Sequence, residues 1–147
     1  MVDYIQTLMA LVGSLGFAIF MKMKGKQIFF AGVGGALTWG MYLMYMHILG
    51  QVFISVLLAS IFAGIYAEIM ARVNKAPATI FLTAGSVPLI PGGSLYYSML
   101  GLITRDEAAF EQNGINAVNI ALAISLGFML VTIGNRFLSR LKTSHKK

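Results

Sequence analysis

Apolar and polar positions alternate along this chain on the scale of a bilayer. Runs of about 20 mostly apolar residues, the length that spans a hydrocarbon core as a helix, fall at 4–21, 28–49, 52–71, 78–103 and 115–134. Short polar segments separate them. Lys22, Lys24 and Lys26 follow the first run, Gly50-Gln51 follows the second, and Arg72, Asn74, Lys75 and Pro77 follow the third. A polar stretch, 104–114, precedes the last run, and a basic tail, 135–147, follows it. The pattern predicts an all-α integral membrane protein with about five transmembrane helices, forming one transmembrane domain over 1–147.

The fourth run differs from the others. Its sequence is PATIFLTAGSVPLIPGGSLYYSMLGLITR, residues 77–105. Pro88 and Pro91 each remove a backbone donor and clash with the preceding turn, so 88–94 cannot continue an α-helix. Gly92 and Gly93 loosen it further. The halves on either side, 78–87 and 94–104, are each about 15 Å long at 1.5 Å per residue, so neither spans alone. A discontinuous crossing is therefore expected. Broken backbone at membrane depth is tolerated where it is buried in protein or lines a water-filled cavity, and transporters hold substrates and ions at such breaks.

Composition agrees with the hydropathy pattern. The chain is 58% hydrophobic and 11% charged, against about 45–50% and 25% in soluble domains. A net charge of +6 in a soluble domain would suggest nucleic acid; here the charges lie between the spans, and no nucleic-acid partner is expected. Arg136, Arg140, Lys142, Lys146 and Lys147 make up the tail's charge, and Arg105 alone lies outside the three basic segments. Basic loops stay cytoplasmic. Five crossings with the N-terminus outside and the C-terminus cytoplasmic put all three on one side. A re-entrant fourth segment would invert the last span and put the tail outside. Asp3 rather than lysine or arginine at the start argues against a cleavable signal peptide.

Small residues mark faces where helices can approach closely: Gly32, Ala36 and Gly40 in the second span, Ala59, Ala63, Ala67 and Ala71 in the third, and Ala117, Ala121 and Ser125 in the fifth. These faces serve either interior packing or contact with a second protein. The tyrosines and Trp39 serve as interfacial anchors, or, for Trp39, Tyr96 and Tyr97, as cavity lining.

The candidate site is the break. Ser94 is a candidate N-cap of the second half, its hydroxyl bonding a free backbone N–H. Unpaired N–H groups near Leu95, Tyr96 and Tyr97 would attract a carboxylate at the positive end of that half-helix. Carbonyls of Ala84 and Val87, deprived of donors by Pro88 and Pro91, would take an ammonium group or a cation. The candidate substrate-binding set is Pro88, Pro91, Gly92, Gly93, Ser94, Tyr96, Tyr97, Asn116 and Asn119. The two asparagines lie i, i+3 near the outer end of the last span and serve either as cavity lining or as interhelical hydrogen bonders. Glu68, the one acid within a span, is either a proton-coupling carboxylate or the partner of Arg72 at i+4. Thr83, Ser86 and Ser98 flank the break as small hydroxyls that bond their own backbone. His47 reads as interfacial. The histidines, 47 and 145, are far apart and there is no cysteine, so no metal cluster or cofactor is expected. No catalytic constellation is present, and the chain does not read as an enzyme.

The segment AGSVPLIPGGSLYYSMLGLI, residues 84–103, resembles the signature of the threonine/serine exporter family. The chain is similar to that family's C-terminal membrane half, which in many bacteria is a separate small protein. The resemblance implies proton-gradient-driven export of threonine and serine, or, among split members, of dicarboxylates such as succinate. It also implies a bacterial plasma-membrane location and a partner, a larger membrane subunit of the same family. Self-association would be the other means of burying the break. A homo-oligomeric channel and a non-transporting scaffold are the rival readings.

Overall fold

The computed structural model describes the backbone of residues 2–144 and the side chains of 3–137. The side chains of Arg140 and Lys142, and all of His145, Lys146 and Lys147, lie outside the described residues. Among those described, every regular element is a helix: α1 (Val2–Phe20), α2 (Lys26–Leu49), α3 (Val52–Asn74), α4 (Ala78–Ser86), a 3₁₀ turn (Val87–Leu89), α5 (Gly92–Thr104) and α6 (Glu107–Ser144). Helices α1, α2, α3 and α6 are each long and apolar enough to cross a membrane, and the pair Ala78–Leu89 and Gly92–Thr104, bent by 53°, supplies a fifth candidate crossing.

Tight links make α1, α2 and α3 an antiparallel series. Gly50 ends α2 at φ 65°, its N–H donating to the Met46 carbonyl. Lys75 ends α3 in the same left-handed conformation, at φ 50°. Close approach follows the small residues. A methyl group at Gly35 would collide with the Ser14 side chain of α1, and one at Gly127 with that of Ser60. Ala59, Ala63, Ala67 and Ala71 of α3 are buried, as their spacing implies. In α6 the packed small residues are Ala117, Ala123 and Gly127, whereas Ala121 and Ser125 are exposed. The contact stripe therefore turns away from the 117, 121, 125 series, because α6 meets α5 near one end and α3 nearer the other.

Helices α3 and α6 run parallel. The Ser60 hydroxyl lies 3.4 Å from the Ala123 carbonyl, a methyl group at Gly64 would meet Val131 at 2.9 Å, and Glu68 shares a cleft with Thr132. The partner's number rises with that of α3, so both helices begin at the same end of the bundle. The chain between them must therefore connect opposite ends, which makes 78–104 a crossing rather than a loop returning to its own side.

The same geometry gathers Lys22, Lys24, Lys26, Arg72, Lys75 and Arg136 toward one end. Asp3, His47, Asp106 and Glu107 lie toward the other, where the Asp3 carboxylate and the His47 ring stand 3.4 Å apart. The core at the basic end joins Ala18, Met23, Ala31, Ala67, Ala71, Phe81 and Ala84.

Sequence reading starts the last helix too late. The polar stretch after Arg105 is helical from Glu107. Asp106 caps it, its carboxylate accepting the Ala109 N–H at 3.1 Å, and Glu, Ala and Gln are strong helix formers.

Candidate functional site

Helix α4 packs into the bundle against α2 and α3, and the 3₁₀ turn rests on α1 and α2. Beyond the break the chain leaves this core, and α5 packs on α6. The sequence forces the change of direction. Pro88 is the second residue of the 3₁₀ turn, the Ile90 N–H donates to the Val87 carbonyl at 3.2 Å, and the Gly92 N–H reaches back to the Ile90 carbonyl at 2.7 Å. Both carbonyls lose their helical donor to proline, but that of Val87 takes the Ile90 N–H instead, contrary to expectation, and Ala84 is buried in the core.

Helix α5 starts earlier than expected. Pro91 is its N-cap, with no side-chain cap bond, and Leu95 already donates to Pro91 at 3.0 Å. Ser94 is therefore inside the first turn and does not cap. The donors left over are the N–H groups of Gly93 and Ser94 rather than those of Leu95, Tyr96 and Tyr97. The first turn of any helix leaves such groups free, and the helix dipole makes that end positive.

All seven residues of the break, Pro88, Leu89, Ile90, Pro91, Gly92, Gly93 and Ser94, line a cavity of about 190 Å³. Trp39 and Tyr42 of α2, Val56 of α3 and Ile120 of α6 complete it. Pockets for drug-sized ligands measure about 300–1,000 Å³, so this smaller space suits a small metabolite. Methyl groups built on Gly92 or Gly93 meet no atom within 4 Å, so both glycines face open space.

Trp39 is the residue that sequence reading undervalued. Its ring packs against Tyr42 with centroids 4.9 Å apart and lines spaces on both sides of Pro88. Its buried indole N–H has no hydrogen-bond partner among the described residues, although buried donors are nearly always satisfied. The signal available in sequence was a lone tryptophan mid-span, away from the interfacial belts.

The other candidates lie elsewhere. Tyr96 and Tyr97 pack edge to face, with centroids 5.3 Å apart, and both are exposed on α5 outside the cavity. Asn116 and Asn119 are exposed on α6, and Asn119 borders a separate groove with Gly114 and Val118. Glu68 pairs with Arg72 at 3.7 Å. It also lines a small cleft between α3, α4 and α6 with Ala78, Leu82 and Thr132. Thr83 and Ser86 bond backbone carbonyls of their own helix, whereas Ser98 donates across to Phe110 of α6.

A bundle of apolar helices, one of them broken around a cavity, is an architecture that many membrane transporters use. The chain belongs to the threonine/serine exporter family: the family model described as "Threonine/Serine exporter, ThrE" matches residues 6–133. No solved structure matches the chain.

Proposed function

We infer that this chain is the small subunit of a secondary exporter for small carboxylate-bearing metabolites, threonine and serine foremost, in the bacterial inner membrane. The observation that carries this reading is that the whole segment 88–94 lines one cavity, with two unpaired N–H groups at a helix start. The substrate carboxylate sits on the Gly93 and Ser94 N–H groups, where donors and dipole act together. The ammonium group faces the Trp39 and Tyr42 rings, which attract cations. The Trp39 N–H, sealed from the cavity in this conformation, donates to the substrate hydroxyl once the ring turns toward it. Among the described residues, no lysine or arginine lines the cavity. A zwitterion with no net charge therefore fits it better than a dianion such as succinate, whose second charge would lack a counter-ion.

The basic end faces the cytoplasm. A larger subunit of the same family covers the open side of α5, and the two parts alternate access around the break. Proton coupling falls to Glu68. Its carboxylate lines the cleft against the first turns of α4, so its charge state acts on the half-helix that ends at the site.

The test is export of threonine, serine and succinate from loaded cells carrying this chain alone, the chain with its larger partner, or the pair with Gly93→Leu. Threonine and serine efflux that needs the partner, collapses with the proton gradient and is lost in the variant supports the reading. Flux from the chain alone that survives collapse of the gradient would establish a channel. No flux of any solute with the partner present would leave a scaffold.

A further inference from the structure

The face of α6 turned away from the bundle is apolar, as lipid requires, except at one amide, that of Asn119. Ile115, Leu122, Leu126, Met129 and Ile133 are between 45% and 59% exposed, and Asn119 is exposed among them. The steps from 115 to 133 are 4, 3, 4, 3 and 4 residues. This is a heptad seam, with Asn119, Leu126 and Ile133 at a and Ile115, Leu122 and Met129 at d. At about 100° per residue the six positions fall within an arc of roughly 80°. Ala117, Gly127 and Val131, which face the rest of the molecule, lie on the opposite side. Among the described residues Asn119 has no hydrogen-bond partner, and it adjoins Ile120, which lines the break cavity. Its amide therefore lies at membrane depth, where hydrocarbon offers nothing to bond.

We propose that this chain self-associates through α6, forming a parallel two-fold dimer in which the Asn119 amides hydrogen-bond to each other. Three observations select a second copy as the occupant. An amide carries both donor and acceptor, so Asn119 is complementary to itself across a two-fold axis, where equivalent residues meet. No charged residue lies between 112 and 135, so two seams meet without like-charge repulsion. At the outer edge, Glu111 occupies a g position and Asn116 the following e position, the pair that a parallel dimer brings together between chains. Both are exposed, and a carboxylate accepts from an amide. All copies insert with the same orientation, which makes the parallel arrangement the available one. The seam lies away from the break cavity, so the dimer stands or falls independently of the transport reading.

The chain has no cysteine, so single cysteines report on the seam directly. In native membranes holding the chain alone or with its larger subunit, Ile115→Cys, Leu122→Cys, Leu126→Cys and Met129→Cys should form disulfide-linked dimers of this chain under mild oxidation. Exposed positions off the seam, tested as Ala121→Cys and Thr132→Cys, should not. Dimerisation measured by energy transfer between labelled copies in vesicles should weaken roughly three- to thirtyfold in Asn119→Leu, the range of a lost interhelical hydrogen bond in lipid. Circular dichroism should show its helicity unchanged. Crosslinking equal around the helix, crosslinking at no position, crosslinking only to the larger subunit, or an Asn119→Leu chain that dimerises as well as its parent would each overturn the proposal.

Discussion

At the scale of single residues, glycine serves two opposite purposes in this chain, and one substitution separates them. At Gly127 a methyl group collides with Ser60 and lies 3.0 Å from the Leu57 carbonyl. Gly127→Ala should destabilise the detergent-solubilised protein by about 1–3 kcal/mol, as overpacking does, which a thermal melt would register. At Gly93 the methyl group meets nothing, and alanine is the better helix former by about 1 kcal/mol. Gly93→Ala should therefore melt no lower than the parent, yet export less, because the methyl group occupies substrate space. Unchanged export would remove Gly93 from the site. Trp39 gives a second separation. Trp39→Phe keeps a ring but removes the unpartnered N–H, so stability should hold while KM for threonine rises by about two- to thirteenfold, the cost of a hydrogen bond of roughly 0.5–1.5 kcal/mol. An unchanged KM would refute the contact between indole and substrate hydroxyl.

At the scale of elements, capping decides where helices begin, and capping was only partly legible in the sequence. Asp106 accepts the Ala109 N–H and thereby starts α6 within a stretch whose polarity reads as a loop. Asp106→Ala should lower stability by about 0.5–2 kcal/mol, and hydrogen exchange should speed up over the first turns of α6 with little change in α3. Exchange that rose equally everywhere would mean that the cap holds the whole bundle, not one helix end. The break itself was readable, because two prolines and two glycines leave the backbone few choices. Its capping residue was not: Ser94 has the right side chain, but Pro91 fixes the turn so that the helix has begun by Gly92. The contact face of α6 was also hidden. In a helix that is apolar all round, lipid-facing and protein-facing positions carry the same residue types, so the period that locates a soluble helix's core is absent. Only the small residues and the asparagines break the uniformity, and they mark different faces.

At the scale of the whole molecule, the parallel course of α3 and α6 carries the functional geometry. It requires 78–104 to cross, and it sets the cleft at Glu68 and the cavity at 88–94 at opposite ends of one short helix, α4. Nine residues of α4 span about 13 Å, so the two are too far apart for direct contact and communicate through movement of the half-helix. Glu68 is held by Arg72 at 3.7 Å with both side chains partly exposed, an arrangement worth only about 0.2–0.5 kcal/mol to the fold, so the carboxylate can be neutralised without unfolding the protein. Glu68→Gln should accordingly melt within about 0.5 kcal/mol of the parent. In proteoliposomes containing both subunits it should retain exchange of labelled for unlabelled threonine, which requires the site and its alternation. It should lose accumulation against a gradient when a proton gradient is imposed, which requires the coupled carboxylate. Loss of both activities would make Glu68 part of the translocation path itself. Retention of both would reduce it to a partner of Arg72 and send the search for the coupling group to the larger subunit.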